Sequence, residues 1–164
     1  MFEFERTVDV NPDPDDVQLN RHEVWLGLLM KAANALPFVP AMEKCEVVER
    51  GDGWLVRDIL LFGSPMTERV TFEPERLVTF ERIAGPTPGT IENEIGEDAD
   101  GRLTLRFGFR LRADGIPEGS QEEADHFAPS IPAYDGAVAS TLAAMRRLVA
   151  ERGREALEHP TDLF

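Results

Sequence analysis

Hydrophobic and polar residues alternate along several segments of the chain, which is the pattern of a half-buried β-strand. The first such segment covers residues 2–10. Six further segments follow one another, separated by short turns rich in glycine, proline and acidic residues. They cover residues 43–50, 54–62, 66–72, 77–83, 90–95 and 102–112. Because short turns join antiparallel neighbours, this order predicts one antiparallel sheet of about seven strands.

Two other segments have the 3.6-residue spacing of amphipathic helices. The first is predicted to begin after Asn20, an N-cap with Glu23 three residues later as in a capping box, and to end near Asn34. The second covers residues 132–153. Its apolar stripe consists of Tyr134, Val138, Thr141, Leu142, Met145, Leu148 and Val149. Residues 115–131 are polar and contain prolines, and we interpret them as irregular.

The order of these elements predicts an α+β protein, with one face of the sheet buried against the last helix. A chain of 164 residues has the size of one domain, and it contains neither a repeat nor a linker. We therefore expect a single domain over residues 1–164. The tail after Gly153 is expected to be loosely ordered.

The net charge of −14 changes the range of partners to consider. A surface this negative repels phosphate backbones and anionic lipids, so neither nucleic acid nor membrane partners are expected. The longest apolar runs are too short to cross a bilayer, and the N-terminal segment lacks the features of a signal peptide. The single cysteine, Cys45, suggests a reducing compartment, and we expect a cytoplasmic protein. A homodimer is compatible with the sequence, but no feature of the sequence determines the oligomeric state.

Motifs of common enzymes are missing from the chain. It has no glycine-rich phosphate loop, no Cys-x-x-Cys pair and no Gly-x-Ser-x-Gly elbow, and His22-Glu23 lacks the second histidine of a zinc motif. Three scattered histidines do not suit a metal site, and we expect neither a metal nor a cofactor. His126, beside Phe127, either shuttles protons near the cavity mouth or is a solvated loop residue.

Four blocks of sequence, in this order, resemble a known family. They are NRHEVWLGL at 20–28, PFVP at 37–40, CEVVE at 45–49 and ERVTFEP at 68–74. The family is named after acetylaranotin biosynthesis cluster protein L, and it belongs to the SRPBCC superfamily, also called START-like or Bet v 1-like. The resemblance covers residues 2 to about 152. It implies a helix-grip fold, in which a curved antiparallel sheet wraps around a long C-terminal helix and encloses a ligand cavity, and it transfers no catalytic residues.

The expected lining of that cavity follows from which side chains share the inner face of the sheet and the helix stripe. The predicted ligand-binding residues are Met66, Glu68, Val70, Phe72, Ile91, Asn93, Leu105, Phe107, Phe109, Tyr134, Val138 and Met145. Leu103 begins the same face of the last strand.

The polar members of this set each have two interpretations. Glu68, if buried, would have a raised pKa and could act as a general acid or base, or it sits at the sheet rim or pairs with an arginine such as Arg57. Asn93 either orients a ligand carbonyl, or is a core residue bonded to backbone or a residue at the edge of the sheet. Tyr134 either donates its hydroxyl to a ligand or packs in the core. Arg57 and Asp58 must face opposite sides of their strand, so one of them points inward.

Three functions are compatible with this pattern. The leading hypothesis is a binding protein for a small hydrophobic or aromatic metabolite. The alternative is a polyketide cyclase or aromatase-like enzyme of secondary metabolism, with Glu68 and Tyr134 as the best catalytic candidates and Asn93 as a further one. A third possibility is an interaction or chaperone-binding protein, which would expose an apolar patch.

Overall fold

Seven antiparallel strands form one sheet in the computed structural model of the protein, which describes residues 1–157. Three α-helices accompany the sheet. In chain order the elements are β1 (Phe2–Asp9), α1 (Arg21–Ala33), β2 (Met42–Gly51), β3 (Trp54–Leu61), β4 (Ser64–Glu73), β5 (Leu77–Ala84), β6 (Gly89–Glu97), β7 (Leu103–Leu111), α2 (Gln121–Phe127) and α3 (Ile131–Arg152). The predicted sheet and the long C-terminal helix are confirmed.

The strands lie in the order β1-β7-β6-β5-β4-β3-β2. Strands β2 to β7 are consecutive neighbours, as their short turns predict. The first strand returns to pair with the last one, and Phe2 lies opposite Leu111 while Val8 lies opposite Leu105. This pairing places β1 at one edge of the sheet, next to β7, and beside helix α3.

Helix α1 begins with the predicted capping box. The Asn20 Oδ1 atom accepts a hydrogen bond from the Glu23 backbone N–H at 2.8 Å, and Glu23 Oε1 accepts one from the Asn20 N–H at 3.0 Å. These two bonds satisfy backbone donors that a helix start leaves free. The cap therefore fixes where α1 begins and which of its side chains face the sheet.

Helix α3 packs its apolar stripe onto the inner face of the sheet. Val138 and Met145 are fully buried, and the ring of Tyr134 lies 4.5 Å from that of Phe109 on β7. Helix α1 approaches α3 at Gly27, where a Cβ atom would lie 2.5 Å from the end of the Met145 side chain. The glycine thus permits a close contact between the two helices.

The interpretation of residues 115–131 as irregular is wrong for α2. Ser120 caps this helix by accepting the Glu123 N–H at 3.1 Å, and Phe127 at its end is buried against the Phe2 ring at 5.1 Å. Helix α2 has 7 residues, too few to establish an apolar period in the sequence.

The tail after Gly153 was expected to be loosely ordered, but residues 154–157 contact the rest of the fold. Arg154 Nη1 contacts both Glu23 carboxylate oxygens, at 2.7 and 2.5 Å, and Leu157 is buried. The rest of the predicted loose tail and of the predicted 1–164 domain, residues 158–164, lies outside the described residues. Within residues 1–157, each helix is too short or too polar to span a bilayer.

Candidate ligand-binding cavity

A small cavity lies between the inner face of the sheet, the end of α1 and the first turns of α3. Its volume is about 50 Å³. Most of its wall is apolar, and the polar side chains are concentrated on α1, β3, β4 and β5. The lining residues are Lys31, Val39, Ala41, Met42, Arg57, Ile59, Leu61, Phe62, Glu68, Phe80, Arg82, Ile91, Phe107, Ala133, Tyr134 and Ala137.

Arg57 and Glu68 form a buried ion pair in this wall. They lie opposite each other in the register of β3 and β4, so their side chains emerge side by side on the inner face. Arg57 Nε and Nη2 donate to Glu68 Oε1 at 2.9 and 2.8 Å. The third nitrogen, Nη1, donates to the carbonyl oxygens of Lys31 and Ala32 at 3.0 and 3.1 Å. Arg57 thereby also satisfies carbonyl groups at the C-terminus of α1, where the helix dipole favours a cation.

Arg82 faces the same cavity from β5, and it is 3% exposed. Its Nη1 donates to Thr87 Oγ1 at 2.9 Å, and its Nη2 lies 3.5 Å from the Tyr134 hydroxyl. The Nε atom is 3.6 Å from Glu68 Oε2, and within the described residues it has no hydrogen-bond acceptor. Arg82 is therefore a buried donor that its own surroundings do not fully satisfy.

Lys31, in the last turn of α1, is buried with its amine in the cavity wall. Its Nζ atom donates to Asn93 Oδ1 at 2.7 Å and lies 4.8 Å from the centre of the Phe107 ring. Burial, aided by the positive charge of Arg57 and opposed by the negative charge of Glu68, lowers the pKa of Lys31 from 10.5 to about 7. The amine therefore changes protonation state near neutral pH.

The charges around the cavity do not balance. Arg57 and Arg82 are positive, Glu68 is the one carboxylate among the lining residues, and Lys31 adds a third positive charge when it is protonated. The interior of a chain with a net charge of −14 thus contains a positively charged wall. Such a wall suits an acceptor oxygen or an anion.

Phe62 stands at the mouth of the cavity. Its side chain is 45% exposed, and its ring contacts that of Tyr134 edge-on at 5.8 Å. Outside this pair lies a larger depression of about 290 Å³. The depression is lined by Leu61, Phe62, Ser64, Met66, Pro86, Thr87, His126, Phe127, Ser130 and Tyr134. Both spaces are lined by Leu61, Phe62 and Tyr134, so these three side chains lie between them.

The structure brings only some of the predicted binding residues to the cavity. Glu68, Ile91, Phe107 and Tyr134 line it, and Met66 lines the outer depression. The remaining predicted residues lie in the packed core, at the edge of the core or behind the lining. They are Val70, Phe72, Asn93, Leu103, Leu105, Phe109, Val138 and Met145. Asn93 does not line the cavity itself, but it accepts a hydrogen bond from Lys31, which does.

The structure also shows which way the other polar candidates from the sequence face. Arg57 faces inward and Asp58 outward, where Asp58 accepts a hydrogen bond from Thr67 at 2.8 Å. His22 is exposed and lies 2.6 Å from a Glu75 oxygen. In residues 1–157, no three His, Cys, Asp or Glu side chains are grouped so that they could hold a metal ion.

Sequence reasoning missed Lys31 and Arg82. The signal for Arg82 was present, because Val78, Phe80 and Arg82 share one face of β5 by strict alternation. Lys31 lies three residues after Leu28, on the buried stripe of α1, and a lysine there is unexpected in an apolar environment. In both cases a charged residue stood at a position that the apolar pattern assigned to the interior.

This architecture defines a class: a helix-grip protein of the α+β type, with a cavity between a curved antiparallel sheet and a long C-terminal helix. Residues 4–152 match the family described as acetylaranotin biosynthesis cluster protein L, or AtaL. The chain belongs to the AtaL family.

Solved structures with the same fold include proteins of several kinds. The Zhui aromatase/cyclase from Streptomyces sp. R1128 has 22% identity and a TM-score of 0.64, over 94% of this chain and 97% of that one. The di-domain aromatase/cyclase StfQ of the steffimycin pathway has 16% identity and a TM-score of 0.62, over 92% of this chain and 51% of that one. Ara h 8.0201 has 14% identity and a TM-score of 0.56, over 92% and 99%. The sequence has no significant match to a curated protein.

Proposed function

We propose that the protein binds a small amphipathic molecule in the cavity, with its apolar part on the aromatic and aliphatic wall and its polar end at Arg82 and Tyr134. The observation that carries the proposal is the buried Nε atom of Arg82, which has no hydrogen-bond acceptor within the described residues. Glu68 Oε2, at 3.6 Å, offsets the charge of Arg82 but is too distant to accept a hydrogen bond from Nε. A buried donor without an acceptor costs about 1–3 kcal/mol, and an acceptor oxygen on a ligand would remove that cost.

The apolar wall accounts for the rest of the expected affinity. Ile59, Ile91, Phe80 and Phe107 present ring and methyl groups to the cavity, and covering apolar surface contributes roughly 25 cal/mol per Å². A carbonyl, carboxylate, enolate or phenol oxygen at the polar end would be favoured by the positive wall.

The inner cavity alone is too small for such a ligand. Small-molecule sites usually have volumes of about 300–1,000 Å³, whereas the inner space measures about 50 Å³ and the outer depression about 290 Å³. Rotation of the Phe62 ring away from Tyr134 would join the two spaces. We therefore propose that the ligand enters past Phe62 and occupies both.

The experiment compares three probes of one shape: naphthalene, 2-naphthaldehyde and 2-naphthoate. We expect thermal shift and chemical-shift perturbation to rank naphthoate first, and Arg82→Met to remove that preference. The control is Arg110→Met, since Arg110 is exposed on β7 and pairs with Glu3. Failure of all three probes to perturb the cavity residues, or unchanged naphthoate binding by Arg82→Met, would overturn the proposal.

A cyclase-like enzyme is the second candidate, and two observations favour it. The Zhui aromatase/cyclase shares the fold over 97% of its length. Lys31 has a pKa of about 7 beside the cavity, which suits proton transfer at neutral pH. The test is the rate at which 1-phenylhexane-1,3,5-trione cyclises by aldol condensation. We expect acceleration by the protein and none by Lys31→Met, and equal rates with and without protein would exclude this activity for the substrate class.

We further propose that the protein acts in the cytoplasm as a single domain on a diffusible molecule. The net charge of −14 supports the absence of nucleic-acid and membrane partners. A homodimer is compatible with this function, and light scattering would measure it.

A further inference from the structure

Lys31 is unusual in the composition of the chain as well as in its position. Of the 17 lysine and arginine residues, only Lys31 and Lys44 are lysines. Lys44 is exposed on β2, whereas Lys31 is 3% exposed. The chain therefore contains one buried lysine amine at a cavity and one exposed lysine that serves as an internal reference.

The surroundings of Lys31 favour a reactive neutral amine. Arg57 from β3 and Arg82 from β5 are positive, and Glu68 from β4, the only carboxylate in the lining, is already engaged by Arg57. Tyr134 faces the cavity from α3. Desolvation beside another cation is a known way to activate a lysine as a nucleophile.

Asn93 Oδ1 accepts a hydrogen bond from this amine at 2.7 Å. A neutral amine has two hydrogens and one lone pair, so one N–H can remain bonded to Asn93 while the lone pair is available. The rings of Phe80 and Phe107, 5.7 and 4.8 Å from Nζ, form the apolar side of the space next to it. The amine is thus held in place at the wall of the cavity.

We propose that Lys31 is a nucleophile that captures a carbonyl group of the bound ligand as an imine. The proposal rests on the proposed binding function, and it deepens that function by naming aldehydes and ketones as the ligand class. Arg82 and Tyr134 line the same cavity and supply hydrogen-bond donors for the carbonyl oxygen.

The step balances without another reactant. The Nζ lone pair attacks the carbonyl carbon, a C–N bond forms, and the C=O π electrons move to oxygen. The nitrogen loses a proton and the oxygen gains one, which gives a carbinolamine. A second proton on the oxygen lets water leave as the nitrogen lone pair forms C=N, and loss of the remaining N–H proton yields the neutral imine. Amine and carbonyl are consumed, and imine and water are produced.

The test is reductive trapping of the full chain with 2-naphthaldehyde and cyanoborohydride at pH 7, followed by peptide mass spectrometry. We expect a naphthylmethyl group on Lys31 to form at least about tenfold faster than on Lys44, because an exposed lysine amine is almost fully protonated at this pH. Excess 2-naphthoate should protect Lys31 and leave Lys44 unaffected. Lys31→Met should lose the fast adduct, whereas Lys44→Met should retain it.

The possible failures separate the two proposals. Equal labelling of both lysines, or labelling of Lys44 alone, while 2-naphthoate still binds would overturn imine formation and leave the binding function intact. Absence of both labelling at Lys31 and binding of the naphthyl probes would overturn both. Because the comparison of Lys31 with Lys44 is made within the unmodified sequence, it does not depend on whether Lys31→Met folds.

Discussion

Arg57 and Glu68 face each other across β3 and β4, and the guanidinium directs both Nε and Nη2 to one carboxylate oxygen, Oε1. The other oxygen, Oε2, lies 3.6 Å from Arg82 Nε. Glu68 is thus the only lining carboxylate between two buried arginines. This geometry gives Glu68 the role of positioning both guanidinium groups in the cavity wall.

Replacing Glu68 should therefore destabilise the protein strongly. Glu68→Gln leaves two buried positive charges without their partner, and breaking a buried pair in this way costs about 3–5 kcal/mol. Urea unfolding measures the change in free energy of unfolding. Asp58→Asn is the matched control, since Asp58 is the exposed carboxylate next to Arg57, and it should change stability by less than about 0.5 kcal/mol. Similar effects of the two substitutions would contradict this role.

The burial of Lys31 predicts how stability changes with pH. The pKa of Lys31 is about 7 in the folded protein and 10.5 when exposed, so between these values the unfolded chain binds more protons. The free energy of unfolding should therefore rise with pH from about 7 to about 10.5, by at most about 1.4 kcal/mol per pH unit from this group.

Lys31→Met should lack this contribution, and the difference between the two proteins isolates it from other groups that titrate in the same range. Unfolding curves at pH 7, 8 and 9 provide the measurement. Parallel pH profiles for the two proteins would show that Lys31 stays protonated when the protein is folded.

Phe62 should control access to the cavity. It occupies a two-residue hairpin turn with Gly63, and both residues have positive φ, 52° and 74°, as a type I′ turn requires. Asparagine suits the first position of such a turn better than phenylalanine does, so Phe62→Asn should remove the ring from the mouth without disrupting the hairpin. We expect stopped-flow association of 2-naphthoate to become faster.

Ile83 provides the control for this substitution. It is another exposed hydrophobic residue, 52% accessible on β5, and it is not among the residues that line the cavity or the outer depression. Ile83→Thr should leave the association rate unchanged. Equal rates for the wild type and Phe62→Asn would mean that the ligand enters elsewhere.

Two glycines in helices should respond in opposite ways to substitution by alanine. At Gly27 the new Cβ would overlap the buried side chain of Met145, whereas at Gly136 it would meet nothing within 4 Å. Gly136→Ala should raise stability by up to about 1 kcal/mol through helix propensity. Gly27→Ala should lower it by about 1–3 kcal/mol through overpacking. Thermal unfolding distinguishes the two, and a higher melting temperature for Gly27→Ala would mean that Met145 repacks freely.

Part of the candidate site could be predicted because strand periodicity is local. Alternation along β4 placed Glu68 on the same face as Met66 and Val70, and the structure has all three buried. The same rule applied to β5 would have placed Arg82 inside. Alternation within a strand does not show which residues of neighbouring strands lie side by side, because that depends on register and on the β-bulges of β2 and β5.

The sequence by itself determined the elements of this protein: the capped start of α1, the consecutive antiparallel strands and the apolar stripe of α3. These features depend on residues close together in the chain, where capping bonds and side-chain periodicity act directly. Only the tertiary structure decided that β1 returns to β7 and that Lys31, Arg57, Glu68 and Arg82 share one cavity wall. Those arrangements join residues far apart in sequence, and the packing of the whole sheet against α1 and α3 selects them.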